Sequence, residues 1–147
     1  MTKKYLQLND INAYKTAFNL SNFVWDVVIK WDYFAKNTVG EQFVKAMDSI
    51  SANIAEGFGR YSKKDKIKFY RYNNVFLKEC LDWNQKSKVR KLLSDEEYNY
   101  IFGKLKKLPK EISQTYSSQM AKLLIICHKD TKAQRFTPLD SNFFHHH

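Results

Sequence analysis

Glycine occurs at only four positions of this chain and proline at two, Pro109 and Pro138, so very few points can interrupt regular backbone. Between them, apolar residues recur at spacings of three and four, the period of an amphipathic helix. In residues 10–31, Ala13, Ala17, Leu20, Val24, Val27 and Trp31 make one helical face, with Asn9 or Asp10 as the cap. Tyr14, Phe18, Trp25 and Val28 form a second stripe beside it, an apolar face wide enough for more than one neighbour. The polar stretch "KNTVG" reads as a connection. A second helix spans about 40–57 with Phe43, Met47, Ile50 and Ile54 inward and Ala46 and Ala55 allowing close approach. Gly57 or Gly59 is its expected stop, through the left-handed conformation that glycine tolerates.

Ser62 is placed to cap a third helix, with Asp65 three residues on to reach back. Its apolar set is Ile67, Tyr70, Leu77 and Leu81, flanked by Phe69, Phe76, Cys80 and Trp83, and it reaches Lys88 or beyond. "SDEEY" from Ser94 starts a fourth helix, because a capping serine precedes three acids at the positive end of the helix dipole. Tyr98, Ile101, Leu105, Leu108, Ile112, Thr115, Leu123 and Ile126 line one face of it, and Pro109 is expected to interrupt it with a kink near Lys106 to Leu108. Four such helices with short connections imply an all-α fold, an antiparallel up-and-down four-helix bundle. One bundle domain is expected over residues 1–128. An irregular tail follows over 129–147, ending "FFHHH", which reads as part of a purification tag.

Charge gives the first pointer to a partner. The 25 basic residues exceed the 15 acidic ones by ten, and the excess is local. Between Arg60 and Lys91 eleven Lys or Arg stand against Asp65, Glu79 and Asp82, a balance of +8. Cys80 and Cys127 lack CxxC spacing, which suits buried thiols in a reducing cytoplasm rather than disulfides or a metal site. No stretch approaches the roughly 18 uncharged apolar residues that span a bilayer, and "MTKKYLQLND" lacks the apolar core of a signal peptide. The expectation is a cytoplasmic protein with no membrane segment, no metal and no cofactor.

Residues 49–72, "SISANIAEGFGRYSKKDKIKFYRY", resemble the signature of the bacterial 23S rRNA intervening-sequence proteins, small four-helix bundles. The agreement lies at Ser49, Ile50, Asn53, Ile54, Ala55, Glu56, Gly57, Gly59, Arg60, Ser62 and Phe69. Ser51 stands where the family commonly has proline, and Val75 and Phe76 stand where it commonly has Gly-Ser. The resemblance implies a basic homo-oligomer. By analogy with a related branch, the accessory variability proteins of diversity-generating retroelements, it implies a pentamer that binds nucleic acid and a reverse transcriptase.

Within that signature Asn53 and Glu56 lie three apart and share a helical face. With Gly57 they read either as a structural motif fixing the turn or as part of an oligomer contact or ligand site. Lys64, Lys68 and Arg71 fall at spacings of four and three, one stripe that Arg60 and Lys63 extend at the turn. Such a stripe suits phosphates, whose neutralisation releases counterions, and Tyr61, Tyr70 and Tyr72 could stack on bases. The alternative is a solvated face with Tyr70 in the core. Sequence-specific readout is not expected, since no helix-turn-helix or zinc-finger pattern accompanies the charge.

Enzyme readings lack parts. His128, the one histidine outside the tail, has no arginine shortly before it as bundle ribonucleases of the HEPN type require. "GFGR" lacks the lysine and spacing of a phosphate loop. Cys127 and His128 are adjacent and point apart, and Glu56 with Glu79 would need to meet in space to divide acid and base roles. A non-catalytic protein binding RNA or DNA through the phosphate backbone is expected. The alternative is an interaction module that docks an acidic protein or a polymerase.

Overall fold

A computed structural model of the protein describes residues 6–60 and 62–130, with side chains as far as Ser118. Among the described residues there are four long helices and no strand: α1 (Asn12–Val28), α2 (Glu41–Phe58), α3 (Lys63–Val89) and α4 (Asp95–Asp130). Helix α1 packs on α2 and α4, and α3 packs on the same two, so four apolar faces close on one core. Ala13, Ala17, Leu20, Val24 and Val27 of α1 are buried there. They meet Phe43, Met47, Ile50 and Ile54 of α2 and Ile101, Leu105, Leu108 and Ile112 of α4. Each such large side chain contributes about 1.5–3 kcal/mol on burial.

The second stripe of α1 divides. Val28 is buried and Tyr14 half-buried, whereas Phe18 and Trp25 are 48% and 53% exposed. Both neighbours of α1 already sit over the Ala13–Leu20 face, so two aromatics of the expected stripe remain outside. The start of α1 also differs from expectation. Its N-cap is Ile11, which supplies no side-chain acceptor. Asp10 instead closes a preceding 3-10 turn, Leu8–Asp10, by accepting the Gln7 N–H at 2.9 Å.

"KNTVG" is helical rather than a loop. Asp32 caps a short α-helical turn, Tyr33–Ala35, by accepting the Ala35 N–H at 2.9 Å. A π-helical turn, Lys36–Gly40, then continues into α2. The polar side chains serve the helix itself: Asn37 Nδ2 donates to the Tyr33 carbonyl and Thr38 Oγ1 to the Phe34 carbonyl, each at 2.7 Å. Gly40 lets the turn seat against α1, because a Cβ there would lie 2.6 Å from Val28 Cγ1.

Both expected serine caps form. Ser62 Oγ accepts the Asp65 N–H at 3.1 Å. Ser94 Oγ accepts the Glu97 N–H at 3.1 Å while Glu97 Oε1 accepts the Ser94 N–H at 2.9 Å, a reciprocal capping box. Helix α4 is continuous from Asp95 to Asp130, so Pro109 does not end it. Leu105 and Leu108 before the proline and Ile112 and Tyr116 after it are all buried in the same core, which holds the two halves together across the missing N–H. The helix continues to Asp130, past the boundary expected after residue 128. The side chains of Leu123, Ile126, Cys127 and His128, and residues 131–147, lie outside the described residues.

Helix α3 departs furthest from a simple apolar face. Its buried seam is Lys66, Tyr70, Asn73, Leu77, Cys80, Asn84 and Ser87, at alternating spacings of four and three. Ile67 and Leu81, expected inward, sit beside that seam and are half-buried. Asn84 Nδ2 donates to the Tyr98 carbonyl at 3.3 Å, tying α3 to α4. Glu111 of α4 is buried, accepts from Thr16 Oγ1 at 2.7 Å and pairs with Lys107 at 3.2 Å.

Candidate nucleic-acid interface

The turn from α2 into α3 is built around Gly57. A Cβ at this buried position would fall 2.6 Å from the Tyr116 hydroxyl and 3.1 Å from Phe69 Cβ. The glycine is therefore required by close packing of α2 against α3 and α4. Neither glycine supplies a left-handed stop: Gly57 lies within α2, and Gly59, its C-cap, is right-handed at φ −76°. Behind the turn Tyr70 and Tyr116 meet edge to face at 5.5 Å, and Lys66 turns inward to donate from Nζ to the Gly57 carbonyl at 3.3 Å. Desolvation lowers the Lys66 pKa from its ordinary value. Lys66 therefore holds the turn from beneath and adds nothing to the outer charge.

The signature residues take separate roles. Glu56 pairs with Arg60 one turn later at 3.2 Å, and the Arg60 guanidinium lies over the Phe69 ring at 5.8 Å. An exposed i,i+4 pair of this kind contributes under about 1 kcal/mol, so it orients Arg60 more than it stabilises the fold. Asn53 is half-buried and donates to the Ser49 carbonyl at 2.8 Å, within its own helix. Asn53 and Glu56 therefore do not act on one another. Glu56 and Glu79 are also kept apart. Glu79 accepts from Trp83 Nε1 at 3.4 Å and lies about 24 Å along α3 from Lys63 at 1.5 Å per residue.

On the outer side of the first turns of α3 an open cleft of about 690 Å³ is lined by Lys63, Lys64, Lys68, Arg71 and Tyr72, with Asp65 and Ile67. Four of the five cations singled out by spacing meet there, while Arg60 remains at the turn. Lys64 and Arg71 are exposed and have no ion-pair partner among the described residues. Lys68 Nζ lies 5.7 Å from the centre of the Tyr72 ring, which is 42% exposed. Tyr70 is buried and closed to any ligand, and its pKa is raised chiefly by that burial. Tyr61 lies outside the described residues.

The inward half of this region was missed by reasoning from residue type. Lys66 and Asn73 carry the polarity of surface residues, yet they fall on the same four-three register as Tyr70 and Leu77. That register was the available signal. Asn73 lies beside the Tyr116 hydroxyl without completing hydrogen-bond geometry, and burial pushes the Tyr116 pKa up to about 12.

Fold and site together define a basic, all-helical bundle with a cationic cleft at the entry to its third helix. The chain belongs to the 23S rRNA-intervening sequence protein family, whose model matches residues 9–114, from just before α1 to well within α4. No curated protein matches it. Among the described residues no helix is long and apolar enough to cross a membrane.

Proposed function

We propose that this protein is a non-catalytic, cytoplasmic homo-oligomer that binds RNA or DNA through the phosphate backbone at the Lys63–Tyr72 cleft. The observation that carries the reading is the convergence of Lys63, Lys64, Lys68 and Arg71 on one open concavity with a single acid, Asp65, in its lining. Phosphates suit flexible lysines on an exposed helix, and the exposed Tyr72 ring suits a stacked base. The shared neighbours of α1 and α3 and the short connections support the antiparallel up-and-down order. A stripe of exposed Phe18 and Trp25 on α1 and Ile29 at its C-cap, spaced by seven and four, supports self-association, and a pentamer is the number the related branch suggests. A non-catalytic role is favoured because Glu56 and Glu79 are each engaged by a residue one turn along, Arg60 and Trp83, and burial pushes the Cys80 thiol up, away from thiolate chemistry.

The test is fluorescence anisotropy of labelled structured RNA and duplex DNA across a salt series. Three or four phosphate contacts predict a fall in affinity of roughly 40- to 150-fold between about 50 and 200 mM salt. The combined change Lys64→Glu, Lys68→Glu and Arg71→Glu should abolish binding while leaving the helical signal intact, since all three side chains are exposed. Absence of binding at the lowest salt rejects the reading. It would leave the same surface to an acidic protein or a polymerase, sought by co-purification.

A further inference from the structure

At the other end of α3, roughly 40 Å from Lys64 at 1.5 Å per residue, lies a second open cleft of about 740 Å³. Phe34 of the short α-helical turn and Asn37 and Thr38 of the π-helical turn form one wall, the start of α2 adds Gln42, and Trp83, Lys86 and Arg90 of α3 and its end complete it. No acidic residue lines it. Phe34 stands 76% exposed at this cleft. The local structure accounts for the polar groups unevenly. Asn37 and Thr38 each give one donor to a helix carbonyl, Trp83 Nε1 donates to Glu79, and Lys86 bonds Asp82 at 2.6 Å while lying 4.9 Å from the Trp83 ring centre. The Arg90 guanidinium and the Gln42 amide have no partner among the described residues.

The groups engaged by nothing else are an exposed ring, a planar guanidinium and an amide with both donor and acceptor. A simple anion would use Arg90 and leave Phe34 in water, and an apolar ligand would do the reverse. A ligand with an aromatic face, a hydrogen-bonding edge and a phosphate uses all three. We propose that the cleft between the π-helical turn and the end of α3 binds a nucleoside phosphate, its base against Phe34 and its phosphate at Arg90. The ligand is either a free nucleotide or the terminus of a single strand. This site is separate from the Lys63–Tyr72 cleft and does not rest on nucleic acid binding there.

The experiment titrates full-length ¹⁵N-labelled protein with adenosine and uridine monophosphates, a single-stranded tetranucleotide and inorganic phosphate, following the Trp83 indole N–H signal, assigned with Trp83→Phe. Nucleotide should shift that signal, and inorganic phosphate should need about tenfold or more higher concentration, since stacking on the ring is absent. Phe34→Ala and Arg90→Gln should each weaken binding about tenfold, and Lys64→Glu with Lys68→Glu should leave it unchanged. Saturation by the mononucleotides identifies a free nucleotide as the ligand, and response to the tetranucleotide alone identifies a strand end. A Trp83 signal unmoved by either, or phosphate binding as tightly as nucleotide, overturns the proposal. So does sedimentation showing that Phe34→Ala dissociates an oligomer without changing nucleotide affinity, because a second copy then covers the cleft.

Discussion

The two ends of α3 are both basic, yet they are held by different physics. At its entry, side chains lock together: Gly57 lies under Phe69 and Tyr116, Lys66 reaches back to the Gly57 carbonyl, and Tyr70 closes on Tyr116. At its exit the backbone does the work. The Leu92 N–H donates to the Ser87 carbonyl at 2.8 Å and the Lys91 N–H to the Lys88 carbonyl at 3.0 Å, the paired bonds of a Schellman turn. The entry should therefore be sensitive to added volume and to ionisation in its packing. The exit should be sensitive to backbone conformation.

The largest effect is expected at Gly57. Gly57→Ala forces a methyl toward Phe69 Cβ, which cannot swing aside as a side-chain tip can, and overpacking of this kind should cost about 2 kcal/mol. Adding Tyr116→Phe removes the oxygen that lies 2.6 Å from the new Cβ and should recover part of that loss in urea unfolding. Gly103→Ala is the contrasting control, because nothing lies within 4 Å of a Cβ there. It should gain about 0.5–1 kcal/mol through helix propensity. If both alanines behaved alike, close packing at the entry would be refuted.

A smaller effect separates the ends by pH. Burial raises the Tyr116 pKa from 10.0 to about 12, so between those values the unfolded chain has released a proton that the folded chain retains. The stability this contributes is complete below pH 10 and is lost as pH rises through about 12. At pH 11 the loss amounts to about 1 kcal/mol. Tyr70 and Cys80, whose pKa values are also raised, act in the same direction. Lys66 acts oppositely: its lowered pKa penalises the folded state at neutral pH, and the penalty fades as pH approaches 10.5. Urea midpoints of the parent and Tyr116→Phe at pH 8 and 11 isolate the one hydroxyl. Equal losses in the two proteins would mean that Tyr116 is not shielded as the packing implies.

The same contrast explains what could be read from residues alone. Faces made of Ala, Leu, Ile and Val, and caps made of serine with an acid three residues on, carry their structure in their chemistry, so three core faces and both caps were legible. "KNTVG" was not, because its polarity suggests solvent while Asn37 and Thr38 spend that polarity on their own helix carbonyls. Lys66, Asn73, Asn84 and Ser87 were missed for a related reason: position in the register buries them, and residue type argues against it. Of the cationic site, Lys64, Lys68 and Arg71 followed from spacing. The separation of Arg60 did not, since it depends on the tertiary position of Phe69.

The smallest effect tests the exit. Lys91 adopts φ 59°, the left-handed conformation that the Schellman turn demands at this position, which for a side chain with a Cβ costs roughly 1–2 kcal/mol. Glycine adopts it freely but loses more entropy on folding, so Lys91→Gly should stabilise by about 1 kcal/mol or less, against the usual direction of glycine substitutions. Lys91→Ala keeps the strain and removes the charge, so its stability should stay near the parent's. A gain in the alanine variant equal to that in the glycine variant would trace the cost to charge crowding with Arg90 and Lys88 instead of backbone strain. A gain confined to glycine would establish that this end of α3 is set by its backbone, and would leave the free Arg90 guanidinium beside it poised by that turn.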